Sequence, residues 1–372
     1  MGIQGLQSFL ESYGQELLLP KDDTQAWLVI DGNALAHHLY KEANILEGHY
    51  RSYAKAILAF MDKIKLAGVE VLQICFDGNL PPHKTPIRQE RVRRSMKLTA
   101  RNVGALDAWV PVPGFVSFIC QQVLSDAGYP VTTSPEEADL TCARTAGAFA
   151  RRAGPSKQVF ILSQDSDMHL FDLGPAAAYM PLSTVTFADD KISGHAFFYA
   201  QTSASLGVDL LQLGTMMGTE GSASKHASAR LCISKLQAGH LRQHVIQEEI
   251  LRSAALFDWI ASPVSSTLDV YAQKNKSSGI LMELLSTGNL YLPLLLENVK
   301  RESIWRCSRE IRAQAYHHIQ DLLPPRVHQN ERGVTEWLRV GSDLVSEFVA
   351  ATATPTIDIP EAGLSDEAIY LK

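Results

Sequence analysis

Seven acidic residues could together hold divalent cations. They are Asp31, Asp77, Glu137, Asp139, Asp165, Asp167 and Glu220. Short apolar runs at 27–30, 69–76 and 159–162 precede four of them, and such runs are typical of buried parallel strands. In open α/β sheets, functional side chains collect at the carboxyl ends of the strands. Carboxylates gathered there repel one another without cations, so the set predicts Mg²⁺ or Mn²⁺, the ions suited to oxygen ligands.

Taken singly, each of these acids is also consistent with a surface position, and Asp31 before Gly32 is a typical turn residue. The ordered set of seven favours a carboxylate metal cluster. Such a cluster can support phosphodiester hydrolysis with two ions, in which one ion activates a water and the other stabilises the leaving oxygen. Two ions roughly 4 Å apart need carboxylates from several strands.

Residues 79–101 form a basic segment in a chain whose net charge is −6. The segment has one acid, Glu90, and seven basic residues: Lys84, Arg88, Arg91, Arg93, Arg94, Lys97 and Arg101. Solvated helical faces are the alternative interpretation, but they usually mix the signs of charge. Clustered Lys and Arg near a carboxylate–metal site is the pattern expected of a surface that binds a nucleic-acid backbone.

The order of the chain's motifs resembles that of one nuclease superfamily. The matching segments are 1–6, 29–33, 74–78, 134–139, 163–167 and 217–220. From residue 1 to about 221 they resemble the flap-endonuclease/XPG superfamily of structure-specific nucleases. Two segments depart from its pattern, since Asp139 replaces a Glu and Glu220 replaces an Asp. The Gly-rich helix-hairpin-helix that grips duplex DNA in the superfamily is absent from 222–229.

The resemblance implies roles for particular residues. The ligands of the first ion would be Asp31, Asp77, Glu137 and Asp139, and those of the second Asp165, Asp167 and Glu220. The superfamily's helical arch corresponds to the basic segment, and its basic pair facing the scissile phosphate corresponds best to Lys84 and Arg88. Gly2 and His37 are further candidates for nucleic-acid contact; a histidine can stack on a base, although a partly buried helix histidine is the alternative.

A second motif lies near the C-terminal end. Ser308-Arg309-Glu310-Ile311-Arg312, followed by Tyr316, resembles a segment of the asteroid group, which also lacks a typical helix-hairpin-helix. Arg309 and Arg312 are either a second phosphate site or part of an ion-paired structural helix.

Strands that alternate with helical stretches predict an α/β fold, a central parallel β-sheet flanked by helices, as in a PIN-like nuclease core. We predict a nuclease core over 1–235, with an N-terminal part (1–105) carrying the arch-like segment and an internal part (114–235). A mainly helical, asteroid-like region is predicted over 236–372. Ser134 is expected to cap a helix over 136–151 that has Pro135 as its first residue.

Composition narrows the functional class. Apolar residues make up 46% of the 372, which is ample for a large core. The net charge of −6 excludes a bulk nucleic-acid coat. The five cysteines include no Cys-x-x-Cys pair, which predicts reduced thiols. The absence of a bilayer-length apolar run and of a signal-peptide pattern predicts an intracellular protein without membrane contact.

The leading prediction is a metal-dependent, structure-specific endonuclease that uses two Mg²⁺ or Mn²⁺ ions on DNA with single-stranded, flap or overhang character, in the nucleus. The alternative is a catalytically weak or inactive scaffold in RNA or translation regulation, in the cytoplasm, or in DNA-repair complexes. Retention of all seven charges favours the enzyme, because clustered carboxylates are costly to keep without a function. The altered Asp139 and Glu220 and the missing hairpin favour the scaffold.

DNA versus RNA and endo- versus exonuclease action stay open. There is no clear sliding-clamp motif, and protein partners are expected through the C-terminal region.

Overall fold

The computed structural model of this chain describes residues 3, 5–20, 25–43, 49–80, 84–102, 112–135, 137–152, 156–219, 225–237, 279–293, 302–324, 332–341 and 343–353. The described strands are β1 (Gln15–Leu19), β2 (Gln25–Asp31), β3 (Glu70–Phe76), β4 (Val131–Thr133), β5 (Lys157–Ser163), β6 (Ala177–Pro181), β7 (Thr186–Ala188), β8 (Lys191–Ala196), β9 (Asn289–Tyr291), β10 (Gly333–Val340) and β11 (Asp343–Ala350). The described α-helices are α1 (Leu6–Leu10), α2 (Gly32–Glu42), α3 (Tyr50–Leu66), α4 (Thr85–Asn102), α5 (Val116–Asp126), α6 (Ala138–Arg152), α7 (Tyr199–Leu206), α8 (Leu210–Thr219), α9 (Lys225–Gln237), α10 (Gly279–Thr287) and α11 (Arg309–His318).

A five-stranded parallel sheet with the order β4-β3-β2-β5-β6 forms the centre of the fold. Successive residues of β2 face opposite sides, as a strand requires. Leu28 and Ile30 join a core that includes α2, α3 and α5, whereas Val29 joins a second core that includes α1, α6 and α8. Helices therefore cover both faces of the sheet, which explains why β2 is apolar on both sides. The predicted α/β class is confirmed.

A smaller antiparallel sheet with the order β1-β8-β7 lies beside the central one. The two are joined by a bridge between Tyr179, in β6, and Phe197, just after β8. Both side chains are buried, and they pack around the imidazole of His169. These strands were not predicted. β1 and β7 lack a clear alternation of apolar and polar residues, and two of the three buried positions of β8 are the small residues Gly194 and Ala196, which do not mark an apolar face.

The described residues from 279 onward contain a sheet as well as helices. Antiparallel β10 and β11 form a hairpin, and β9 pairs with β10 in parallel. The prediction of a mainly helical C-terminal region missed this sheet. Alternating burial along β10 is visible in its sequence, where Val334 and Leu338 lie on the buried face, but Glu336 on the same face disguises the pattern. Residues 238–278 and 354–372 lie outside the described ranges.

The asteroid-like motif builds one buried polar network in this region. The Arg312 guanidinium makes two parallel hydrogen bonds to Glu336, from Nε to Oε1 at 2.6 Å and from Nη2 to Oε2 at 2.7 Å. The Tyr316 hydroxyl also donates to Glu336 Oε1 at 2.6 Å, and Arg312 donates to the Ser308 hydroxyl at 2.6 Å. Arg309 donates to the carbonyl oxygen of Phe348 at 2.9 Å. These contacts favour the structural interpretation of Arg309 and Arg312 over a second phosphate site.

We expect Arg312→Met to lower the free energy of unfolding by about 3 kcal/mol, because it leaves the buried Glu336 carboxylate without its cation. Chemical denaturation of the purified variant measures this. The matched control is Arg306→Met, which breaks the more exposed pair with Glu347 and should cost less than about 1 kcal/mol. Equal losses in the two variants would contradict a special role for the buried pair.

Two further observations concern the chain as a whole. All five cysteines are free thiols; four are buried and Cys307 is exposed. Among the described helices, none combines the length and the apolar character needed to cross a membrane.

Candidate active site and nucleic-acid interface

Three adjacent strand ends bring acidic residues to one edge of the central sheet. β2 lies between β3 and β5, and the three strands run parallel. Asp31 is the last residue of β2, Asp77 follows β3 directly, and Asp165 comes two residues after β5. Parallel strands end at the same edge of a sheet, so these carboxylates lie in the crevice where α/β proteins usually place their chemistry.

Asp31 is 5% exposed, and both of its carboxylate oxygens accept hydrogen bonds. Oδ1 accepts from the backbone N–H of Ala34 at 2.9 Å, which caps the N-terminus of α2. Oδ2 accepts from the Ser163 hydroxyl at 2.7 Å. That hydroxyl accepts in turn from the backbone N–H of Asp165 at 3.1 Å. Ser163 thus links two candidate ligands, a role that its position at the end of an apolar run did not reveal.

Asp77 holds the start of α6 in place. Its Oδ1 accepts from the backbone N–H of Ala138 at 2.7 Å, and its Oδ2 accepts from the side-chain amide of Asn33. The prediction that Ser134 caps this helix is wrong, because the Ser134 hydroxyl is buried without a partner among the described residues. The helix begins at Ala138 rather than at Pro135. A carboxylate from the neighbouring strand is the stronger acceptor and takes the capping role.

Glu137 and Asp139 lie at the N-terminal end of α6, where the helix dipole favours negative charge. Asp139 is in the first turn, and Glu137 immediately precedes the helix. Lys84, the residue before α4, forms an ion pair with Glu137 in which both side chains are partly exposed. This contact places the start of the basic helix beside the acids.

Asp165 and Asp167 form a tight turn after β5. The backbone N–H of Asp167 donates to Asp165 Oδ1 at 3.1 Å, and the backbone N–H of Ile3 donates to Asp167 Oδ1 at 2.9 Å. The N-terminal segment is therefore held against the acidic edge. Gly2 and Glu220, two of the predicted site residues, lie outside the described residues.

Six of the seven predicted ligands lie within the described residues and form one electrostatic group. We call this group the acidic cluster: Asp31, Asp77, Glu137, Asp139, Asp165 and Asp167. Burial, followed by the negative charge of neighbouring carboxylates, raises the pKa of Asp139 to about 9. Burial and then the charge of Asp31 raise the pKa of Asp77 to about 6. Burial and the charge of Asp165 raise the pKa of Asp167. The cluster thus resists carrying its full negative charge in the absence of a cation.

The donor set fits a hard divalent cation in its chemistry. All candidate ligands are carboxylates, which Mg²⁺ and Mn²⁺ prefer, and a bound cation would relieve the repulsion that raises these pKa values. Within the described residues, no three acidic, histidine or cysteine side chains form a group that could hold one ion unaided. Mg²⁺ usually keeps several water ligands in protein sites.

The raised pKa values predict how metal-free stability depends on pH. A folded-state pKa of about 9 for Asp139, against an ordinary value of 3.8, means that the folded protein binds more protons than the unfolded chain between these values. The contribution of Asp139 to the free energy of unfolding of the metal-free protein should therefore fall as pH rises from about 4 to about 9. Chemical denaturation in a chelator at several pH values measures this.

Asp139→Asn should weaken that pH dependence and raise metal-free stability at pH 8 by on the order of 2 kcal/mol, because Asn, unlike Asp, does not have to take up a proton when the chain folds at that pH. Saturating Mg²⁺ should stabilise the wild type at pH 8 and have less effect on the variant. If the free energy of unfolding of the variant depends on pH as that of the wild type does, the pKa of Asp139 is not raised in the folded protein.

The histidines near the cluster have different environments. His169 is buried, its Nε2 is 2.9 Å from Gln7 Oε1, and burial lowers its pKa to about 3. It is a neutral packing residue. His37 is exposed on α2, so its proposed contact with a base stays a prediction.

The predicted basic segment forms α4, which has Pro86 in its first turn. Three of its predicted phosphate-binding side chains are exposed: Arg91, Arg94 and Lys97. Arg93 is half-buried, and the side chain of Arg101 lies outside the described residues. Arg88 is not free, because it is ion-paired with Glu283 of α10. No local pattern around Arg88 indicated this partner.

Comparison with known proteins decides the family. The family model described as XPG domain containing matches residues 97–351, which is more than half of the chain. The chain belongs to the XPG-domain family. The resemblance to the flap-endonuclease/XPG superfamily is thereby confirmed.

Relatives of this XPG-domain chain include asteroid proteins. Asteroid homolog 1 of Schizosaccharomyces pombe is 26% identical over 379 residues, which cover 96% of this chain and 69% of that protein. Single-strand DNA endonuclease ASTE1 of Pongo abelii is 24% identical over 200 residues, 52% of this chain and 28% of that protein. A similar solved structure is the catalytic core of Rad2 in complex with DNA substrate, at 16% identity over 71% of this chain and 82% of that chain, with a TM-score of 0.42.

Proposed function

We propose that this chain is a divalent-metal-dependent nuclease that hydrolyses phosphodiester bonds. The observation that carries the proposal is the acidic cluster at the carboxyl edge of the central sheet, where burial and then the charge of neighbouring carboxylates raise the pKa values of Asp139, Asp77 and Asp167. Such a cluster is costly to maintain unless cations bind there. Membership of the XPG-domain family and a relative named as a single-strand DNA endonuclease support the same reaction.

Two ions are proposed. The first would be held by Asp31, Asp77, Glu137 and Asp139, and the second by Asp165 and Asp167 together with Glu220, with some of these carboxylates reaching the ions through water molecules. When bound, such a pair lowers the pKa of an attacking water and stabilises the leaving oxygen. The chain's own part is to fix the carboxylates. The N–H groups of Ala34 and Ala138 each hold one oxygen of a candidate ligand in a defined direction.

The proposed substrate is DNA with a single-stranded part. The exposed cations of α4 supply a positive surface beside the acids, without which the acidic cluster would repel a polyanion. Contacts from Lys and Arg to phosphates carry no sequence information, so we expect selection by DNA structure rather than by base sequence. The absence of a Gly-rich hairpin from 222–229 argues for a weaker grip on duplex.

The second candidate function is a nuclease-fold scaffold that binds nucleic acid without cutting it. The observation that favours it is the ion pair between Lys84 and Glu137, which partly neutralises one candidate ligand. A nuclear location suits the nuclease, and a cytoplasmic location suits a scaffold in translation or RNA regulation. Protein partners are proposed to bind the C-terminal region.

The decisive experiment is a cleavage assay with labelled single strands, 5′ flaps and 3′ overhangs in Mg²⁺ or Mn²⁺. We expect cleavage near single-stranded segments that stops when a chelator is added. The control protein is the double variant Asp31→Asn and Asp139→Asn, which keeps the side-chain shapes and should be inactive. RNA strands of the same sequences distinguish the two nucleic acids. Binding without cleavage under every condition would reject the nuclease in favour of the scaffold.

A further inference from the structure

Arg88, in the first turn of α4, is held by side chains from the C-terminal part of the chain. Its guanidinium forms an ion pair with Glu283 of α10. It also lies over the ring of Tyr291, with 4.2 Å between the guanidinium carbon and the ring centroid. The side chains of Arg88 and Glu283 are 30% and 11% exposed, so water screens the pair only weakly. A guanidinium held between a carboxylate and an aromatic face has little freedom to move.

We call Glu283, Tyr291 and Trp337 the α4 seat. Tyr291 stacks on Trp337 with 5.4 Å between ring centroids and an interplanar angle of 5°. The two residues are register partners in the parallel pair of β9 and β10, so the backbone fixes their stacking. The side-chain amide of Gln89 donates to the Tyr291 hydroxyl at 3.3 Å. Two consecutive residues of α4 thus contact the seat.

The α4 seat is also close to the acidic cluster. α10 begins against the backbone of Asp77, because a Cβ atom at Gly279 would lie only 2.2 Å from the Asp77 carbonyl oxygen. Lys84, four residues before Arg88, is ion-paired with Glu137 of the cluster. The start of α4 is therefore held at two points, one on the seat and one on the acids.

We propose that Glu283 and Tyr291 are positioning residues for cleavage: they anchor α4 through Arg88 and thereby place Lys84 at the acidic cluster. This inference rests on the proposed nuclease function. It also changes the role of Arg88, which the resemblance to the superfamily assigned to the scissile phosphate. Here Arg88 is an anchor, and Lys84 is the basic residue that faces the site.

The burial of Glu283 is the reason to prefer an anchor over a phosphate contact. If Arg88 moved to a phosphate, the Glu283 carboxylate would be left in a poorly hydrated position without its cation, which is unfavourable. Arg91 and Arg94 are exposed and make no ion pair with another residue of the described ranges, so both are available to meet phosphates. Arg88 thus anchors the inner side of α4, and Arg91 and Arg94 form its outer, phosphate-binding face.

The test uses three variants of the full chain: Arg88→Gln, Glu283→Gln and the double variant. The control is Glu302→Gln, which removes one negative charge from an 80% exposed side chain elsewhere in the C-terminal part. Each protein is assayed for kcat and KM on a single-stranded substrate. Amide hydrogen exchange of 85–102 is measured on the same proteins without metal, so that anchoring is observed independently of catalysis.

We expect each single variant to lower kcat about tenfold with KM changed less than about twofold, because a small displacement of a positioned group costs rate rather than binding. The double variant should be no worse than either single variant, since both remove the same contact. Exchange in α4 should become about tenfold faster in all three and stay unchanged in the control. Tyr291→Leu, which keeps the ion pair, should show the same direction of change.

The two proposals fail in different ways. If wild type cleaves nothing, the nuclease function is rejected, while unchanged exchange in Glu283→Gln would separately reject the anchor. If wild type cleaves, faster exchange with an unaltered kcat would reject positioning. Two other results would show that Arg88 contacts a phosphate instead. One is additive losses of kcat in the double variant; the other is a salt dependence of binding that weakens in Arg88→Gln but not in Glu283→Gln.

Discussion

Asp165→Asn should lower the rate of cleavage at saturating substrate by about a thousandfold or more while leaving DNA affinity within about threefold of wild type. Losing this charge weakens binding of the proposed second ion. The activation of the water and the stabilisation of the leaving group that depend on the ion together lower the barrier by several kcal/mol. The phosphate-binding cations are on α4, so affinity is retained. Asn keeps an oxygen that can accept from the Asp167 N–H, so the turn survives. Single-turnover cleavage and a binding titration measure the two effects.

The matched control is Asp172→Asn. It makes the same chemical change at an exposed residue a few positions further on, where the carboxylate accepts only from the backbone of Gly174 among the contacts described. Cleavage by this variant should equal that of wild type. If both variants cleave normally, Asp165 is not a ligand. If both lose activity, the loss reflects the stability of the segment rather than metal binding.

Arg91→Ala combined with Arg94→Ala should flatten the salt dependence of binding to single strands. Each phosphate contact contributes about 0.7 to the slope of log K against log salt on a single strand, so the double variant should lose roughly 1.4. Affinity should fall by a similar factor for all sequences, because phosphates carry no sequence information. Titrations at four or more salt concentrations, with wild type alongside, measure the slope.

Arg151→Ala combined with Arg152→Ala is the control for that experiment. These exposed cations lie in the last turn of α6, whose opposite end carries the acidic cluster. The 15-residue helix separates them by about 20 Å, beyond the screening length at physiological salt. Their removal should leave the slope unchanged. Equal slopes for all three proteins would show that α4 is only a solvated face.

The parts of the fold that follow from local pattern were predictable from sequence. β2, β3 and β5 contain near-continuous apolar runs because both faces of the central sheet are covered by helices. The residues that follow such runs in a parallel sheet share one edge, which is why Asp31, Asp77 and Asp165 could be expected together. The start of α4 near Pro86 agrees with the fixed geometry of proline, which suits the first turn of a helix.

Contacts between distant parts of the chain could not be predicted. Ser134 has the local pattern of a helix cap, but Asp77 reaches the same helix from another strand and displaces it. The charge of Arg88 indicated a phosphate contact, yet its partner Glu283 is 195 residues away. β10 was missed because Glu336 occupies a buried position, where its pairing with Arg312 and the hydrogen bond from Tyr316 make it tolerable. In each case a tertiary contact overrides the local signal.

The capping roles of two candidate ligands have a consequence for how such a protein can change in evolution. Asp31 caps α2, and Asp77 caps α6, so both carboxylates serve the fold as well as the proposed chemistry. Asparagine is as good a cap as aspartate. A descendant could therefore exchange either residue for Asn and lose the proposed catalytic activity while keeping its fold. An exchange for Ala would lose the activity and also destabilise the fold. Asn at these two positions in a related chain would mark a lineage that gave up cutting but kept the folded surface for binding.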